Sequence, residues 1–269
     1  MRRVLLPILI LAAILVAAAM TWFTLTRAGG GAGGELTTEV RTVDTFHRID
    51  VSGHAEVTLI QGSSDSVTVV ASSRGQPRVR AHVESGVLVI AAGDTRRWWD
   101  RLLGGSRSGP TPRITVAFKT LDSVALAGAI GLSAARIDAQ DLHIAASGGS
   151  SVRIDDLQAK SLRIAGSGAL KATLAGKVVD QNISISGAGE VRADRLVSEN
   201  ARVSVSGAGS VVVNAEKTLR ASISGAGVVE YFGNPEVKQS VSGVGRVKRR
   251  QTADADGWRI ALHPSPLAL

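Results

Sequence analysis

The chain has 269 residues, a formal net charge of +8, thirty glycines, no cysteine and only 3% aromatic residues. Without cysteine there can be no disulfide, thiolate metal site or lipid-modified N-terminal cysteine. The scarcity of Phe and Met beside many Gly, Val, Ser and Ala argues for a narrow core of stacked small side chains, not a helical bundle. Arg2, Arg3 and Arg27 flank an apolar N-terminal run, so the excess elsewhere is +5, and nucleic acid is not an expected partner.

The apolar run from Val4 to about Thr26 is long enough, at about 1.5 Å per residue, to cross a hydrocarbon core of about 30 Å. Residues 1–27 are therefore expected to be a transmembrane anchor. Arg2 and Arg3 hold the N-terminus in the cytoplasm and the rest in the periplasm or another extracytoplasmic space. Ala17 and Ala19 offer the alternative of a cleaved signal peptide and a secreted product. The stretch Gly29 to Gly34 predicts a flexible tether over residues 28–40.

A β domain is expected over 41–262. Ile49 and Val51, then Val57 and Leu59, alternate with polar residues on either side of Ser52-Gly53, the period of half-buried strands. Val67, Val69, Ala71 and then Val87, Val89, Ala91 alternate in the same way, and Glu84-Ser85-Gly86 between them can be a hairpin turn. An insertion loop over 94–112 follows. In it Trp98, Trp99, Leu102 and Leu103 fall on one side of a short amphipathic segment, a lid on the domain, an interfacial foot on a bilayer or a partner-binding loop.

The second half repeats. Ala127-Gly128 obeys the offsets of Ser52-Gly53, and six marks follow: Ser147-Gly148, Ser167-Gly168, Ser186-Gly187-Ala188-Gly189, Ser206-Gly207-Ala208-Gly209, Ser224-Gly225-Ala226-Gly227 and Ser242-Gly243-Val244-Gly245. The six serines are separated by 20, 19, 20, 18 and 18 residues. That period fits one coil of a parallel β-helix, or β-solenoid. From the Ser147 to the Ser224 mark, apolar residues hold most of the positions five, three and one before the serine and five and seven after it, Gln181 and Gly166 excepted, so each coil reads as strand, glycine turn, strand and second turn. Both glycines of the mark are expected at φ > 0, where they also spare the neighbouring coils a side chain. Trp258, Ile260 and Leu262 alternate once more and predict a cap on the last coil, before a tail at 263–269.

Several of these stretches together resemble the autotransporter adhesin head GIN domain family. They are Phe46-His47-Arg48-Ile49-Asp50-Val51-Ser52-Gly53, Val57 to Gly62, Gly86 to Ile90, the serine–glycine series, and Tyr231-Phe232-Gly233-Asn234-Pro235. The resemblance runs from about Phe46 to Val247. It implies a parallel β-helix-like fold and an adhesive role in the bacterial envelope, with no activity assigned. A self-exporting autotransporter carries a long C-terminal series of barrel strands, a pattern this sequence does not present, so self-export is not expected.

Catalytic groupings are not evident. His47, His54, His82, His143 and His263 lack metal-ligand spacing, and no histidine recurs beside the motif serines to activate them. Asp138, Asp141, Asp155, Asp156 and Asp194 are the candidates for a polysaccharide-cleaving acid pair. Asp155 and Asp194 share an offset that Ala175 and Asn214 hold in neighbouring coils, which points to a turn preference. Arg246, Lys248, Arg249 and Arg250 make a local basic cluster that is a solvated face or a contact for anionic lipid or acidic polysaccharide. The sequence thus predicts a non-enzymatic adhesin or envelope scaffold without cofactors, with envelope polysaccharide, anionic lipid or another protein as partner. The alternatives are a carbohydrate-active β-helix enzyme and an envelope-sensing signalling ectodomain.

Overall fold

The computed structural model describes residues 36–72, 79–93 and 111–250, and these are built of β-strands without a helix. The strands are β1 (Leu36–Thr42), β2 (Arg48–Gln61), β3 (Ser66–Ser72), β4 (Val79–Glu84), β5 (Val87–Ala92) and β6 (Arg113–Phe118). They continue with β7 (Ser123–Ala134), β8 (Ile137–Phe232), β9 (Glu236–Gly243) and β10 (Arg246–Arg249). The expected anchor, the insertion segment with Trp98, Trp99, Leu102 and Leu103, and the expected cap at Trp258, Ile260 and Leu262 lie outside the described residues. Among the described residues no helix is long and apolar enough to cross a membrane.

From β2 onward the pairing is mostly parallel and in register. Ser52 and Gly53 of β2 pair with Ala127 and Gly128 of β7, and Gly128 pairs with Gly148 of β8. Glu236–Gly243 runs alongside Thr218–Gly225, and Arg246–Arg249 alongside Val228–Tyr231. Within β8 the same step sets Asn200 against Asp180 and Thr218 against Asn200, joined by hydrogen bonds of 3.0 and 2.9 Å. Residues of one offset therefore stack in columns, one strand apart, about 4.8 Å from pass to pass.

The inward columns make the core. Ile144, Ile164, Ile183, Val203 and Ala221 form one, and Val152, Ala172, Val191, Val211 and Val229 another, all buried. Each fully buried Val, Ile or Leu contributes about 1.5 to 3 kcal/mol. A second bend is marked by Ile137, Leu157, Leu196 and Ala215, again buried, with Gly176 and Gly233 in the same column where an added Cβ would strike the carbonyl oxygens of Leu157 and Ala215.

One core column carries a polar intruder. Gln181 stands between Leu162 and Ala201, is 2% exposed, and neither its amide nitrogen nor its amide oxygen has a hydrogen-bond partner. An orphaned buried polar group costs about 1 to 3 kcal/mol. Gln181→Leu is therefore expected to raise the thermal midpoint, and a midpoint that stays or falls would mean the amide is satisfied in solution.

The N-terminal passes depart from a simple succession. β1 pairs antiparallel with β3, and β3 antiparallel with β6, so Val67, Val69 and Ala71 belong to an antiparallel ladder, not to a parallel coil. β1 also carries strand pairing into residues 36–40 of the expected tether. Glu84-Ser85-Gly86 is the hairpin alternative: β4 and β5 pair antiparallel, with Ser85 at φ 50° and Gly86 at φ 74° in the turn. β5 lies parallel to the first half of β2 and β6 to its second half, so two strands interrupted by residues 93–112 together make the pass on one side of β2, while β7 makes the other.

Candidate functional site

The surface feature that repeats through the fold is the corner built by the serine–glycine marks. Ser147, Ser167, Ser186, Ser206, Ser224 and Ser242 are all exposed. Ser147 donates its hydroxyl to the Leu126 carbonyl at 3.2 Å, which ties one pass to the next. Gly148, Gly168, Gly187, Gly207, Gly225 and Gly243 all have positive φ and stack on one another; a Cβ at Gly207 would lie 2.5 Å from the Gly187 carbonyl oxygen.

The second glycine of the mark has another purpose, which corrects the sequence expectation. Gly189, Gly209, Gly227 and Gly245 do not adopt positive φ. They make room for the inward residue just before the serine: a Cβ on Gly189 would meet Ile185 Cγ2 at 2.7 Å, and one on Gly227 would meet Ile223 Cγ2 at 3.0 Å.

Because these positions are small, the corner is flanked by an open groove of about 880 Å³. Ala169, Ala188, Ala208 and Ala226 line it along the corner, and His54, Glu56, Lys171 and Glu190 supply its titratable groups. His54 shares a hydrogen bond of 3.0 Å with Thr111. Glu190 is engaged by Arg192 at 2.6 Å and by Lys171 at 3.9 Å. Glu56 and Glu190 are four passes apart, about 19 Å at the usual strand spacing, whereas a glycosidase pair works at about 5 to 9.5 Å. The groove can hold a ligand by shape and hydrogen bonding, but its carboxylates are not placed as an acid and base pair.

The other sequence candidates are dispersed. Asp155 is ion-paired with Arg153 at 2.8 Å and Asp156 with Arg136 at 3.7 Å. Asp138 offers its backbone to Gln61, whose amide accepts from the Asp138 N–H at 2.7 Å and donates to its carbonyl at 2.9 Å. Among the described residues no three His, Asp or Glu side chains converge as metal ligands. In the basic cluster Arg250 pairs with Glu230 at 3.3 Å and lies 5.7 Å from the Phe232 ring centre, while Arg246, Lys248 and Arg249 remain exposed.

Sequence reasoning passed over the column four residues before each serine. It contains His143, Arg163, Asn182, Arg202, Arg220 and Lys238, with Arg220 and Lys238 directly paired in the β8–β9 ladder. Arg163, Arg202, Arg220 and Lys238 are exposed. Two residues further on, Ser184, Ser204, Ser222 and Ser240 form a column beside the motif serines. The signal was present as a fixed offset from the mark. Below this column, Lys217 is hydrogen-bonded to Glu199, and that bond, with the carboxylate charge, raises the ammonium above the ordinary lysine range.

In-register strand passes, inward apolar columns and a small-residue corner define an all-β domain. The family model described as "Putative auto-transporter adhesin, head GIN domain" matches residues 45–235, and the chain belongs to this family. Among solved structures, a "putative adhesin" from Bacteroides fragilis is similar with a TM-score of 0.75 at 20% identity, over 82% of this chain and 100% of that one. A "putative lipid binding protein" from Parabacteroides distasonis gives a TM-score of 0.64 at 18% identity, over 82% and 98%. A "putative adhesin" from Parabacteroides merdae gives 0.60 at 21%, again over 82% and 98%. At these identities the likeness is one of fold. No curated protein shows significant similarity to the chain.

Proposed function

We propose that the chain is a non-enzymatic β-solenoid binding domain of the bacterial cell envelope, an adhesin or envelope scaffold, held at the membrane by its N-terminal apolar segment. The solenoid reading is supported by parallel pairing at a step of 18 to 20 residues and by the stacked glycines of the corner. The observation that carries the function is the regular surface. The columns two and four residues before the motif serine present related side chains at one-strand intervals, serines in one and mostly cations in the other, which suits a partner that itself repeats. The ion-paired Glu190 and the wide separation of Glu56 from it favour binding over hydrolysis.

The test is binding of the full chain, kept in non-ionic detergent, to an array of envelope glycans, with the soluble phase assayed for cleavage products. Retention on one or more glycans without released sugars is expected. Released oligosaccharides would overturn the non-enzymatic reading, and failure to bind any glycan or envelope fraction would overturn the adhesin reading.

A further inference from the structure

The cations beside the glycine corner differ in whether a carboxylate matches them. On the face after the corner Lys171 and Arg192 are matched by Glu190, Arg153 by Asp155 and Arg250 by Glu230, while Arg246, Lys248 and Arg249 of the last pass have no ion pair among the described residues. On the face before it, Arg163, Arg202 and Arg220 have no ion pair or hydrogen bond among the described residues. Two nearby carboxylates are otherwise engaged: Asp180 accepts from Asn200 at 3.0 Å and Glu236 pairs with Lys238 at 3.1 Å.

Register makes this arrangement unfavourable on its own. Arg202 and Arg220 stand in adjacent passes, Lys238 is one pass beyond, and Arg163 is two passes before Arg202, with Asn182 between. Like charges directly opposite one another on neighbouring strands, about 4.8 Å apart, destabilise a sheet. A bound polyanion would remove that repulsion and gain charge-assisted hydrogen bonds, for which the planar guanidinium is well shaped toward carboxylates.

We propose that this column is a docking strip for an acidic polysaccharide, laid along the stack with its carboxylates on Arg163, Arg202, Arg220 and Lys238. The proposal deepens the binding reading above and rests on it. The passes are about 4.8 Å apart, so the long Arg and Lys side chains of the strip can reach the carboxylates that recur on one side of an extended polyuronate. The serine columns beside the arginines supply hydroxyls that donate to and accept from sugar hydroxyls. The strip carries none of the Trp, Phe or Leu side chains that an interfacial membrane contact uses, nor the aromatic platforms on which single-stranded nucleic acid stacks.

The experiment measures binding of the full chain, in non-ionic detergent, to polygalacturonate and to its methyl ester. Phosphatidylglycerol vesicles and single-stranded DNA serve as rival polyanions. Arg163→Gln/Arg202→Gln/Arg220→Gln is compared with Arg136→Gln/Arg153→Gln/Arg192→Gln, which removes equal charge from the ion-paired positions. The strip variant is expected to lose tenfold or more in affinity for polygalacturonate, the control less than threefold, and the ester is expected to bind weakly to all.

Equal losses in the two variants would reduce the effect to net charge and overturn the proposal, as would a strip variant that binds normally. Loss confined to vesicles or DNA would assign the arginines to another anion and overturn it too. If the triple variant fails to fold by circular dichroism, Arg202→Gln alone must still weaken binding several-fold, and no change would sink the idea. Wild-type binding to glycans that ignores these arginines leaves the adhesin reading standing, whereas wild type that binds no glycan removes both.

Discussion

Gly207→Val is expected to lower the thermal midpoint by many degrees, because two separate penalties fall on one site. Gly207 has φ 121°, and its Cβ would lie 2.5 Å from the carbonyl oxygen of Gly187, an atom fixed in the neighbouring pass. The backbone conformation alone costs a β-branched residue on the order of 1 to 3 kcal/mol. The overlap adds to this, since no flexible side chain can swing away and the two passes must separate. Gly225→Val faces the same geometry, with φ 122° and the Gly207 oxygen at 2.6 Å. The control is Gly149→Ala, where nothing lies within 4 Å of the added Cβ and the change should stay within about 0.5 kcal/mol. Thermal melts of the three variants check the prediction, and a Gly207→Val midpoint equal to that of Gly149→Ala would contradict the stacked corner.

The period and the inward columns were legible because every pass repeats one register: Ile144, Ile164, Ile183, Val203 and Ala221 occupy the same offset and the same buried column. Alternation reports which face a residue takes, but not which strand it pairs with. That is why Val67, Val69 and Ala71 could be recognised as strand while their antiparallel partners β1 and β6 could not. The splitting of one pass between β5 and β6 is hidden for the same reason, since the two halves are separated in sequence and united only by β2. The arginine column was readable as an offset, yet whether a cation is free or matched depends on residues one and two passes away. Arg192 is held by Glu190 and Arg202 by no carboxylate among the described residues, a difference set by three-dimensional neighbours.

The same distinction between backbone need and space need yields the second large effect, a coupling between two positions of one pass. Where the residue before the serine is Ile185, Val205 or Ile223, the residue three after it is Gly189, Gly209 or Gly227; in the Ser167 pass the sizes are exchanged, with Gly166 before and Leu170 after. A Cβ on Gly166 would sit 2.8 Å from Leu170 Cδ2 and 3.1 Å from Ile185 Cδ1. Gly166→Ile is therefore expected to overpack the core by about 1 to 3 kcal/mol. Leu170→Gly alone empties a buried site, since Leu170 is 4% exposed, and large-to-small core changes of this kind cost about 2 to 5 kcal/mol. Combining them recreates the arrangement of the Ser186, Ser206 and Ser224 passes, in which the isoleucine fills the space the leucine has left. The double variant should accordingly be more stable than the sum of the single changes by about 1 to 3 kcal/mol, within the range measured for residues in direct contact. Denaturant or thermal unfolding of the four proteins in the cycle measures this coupling, and losses that simply add would show that the two positions do not share one packing site.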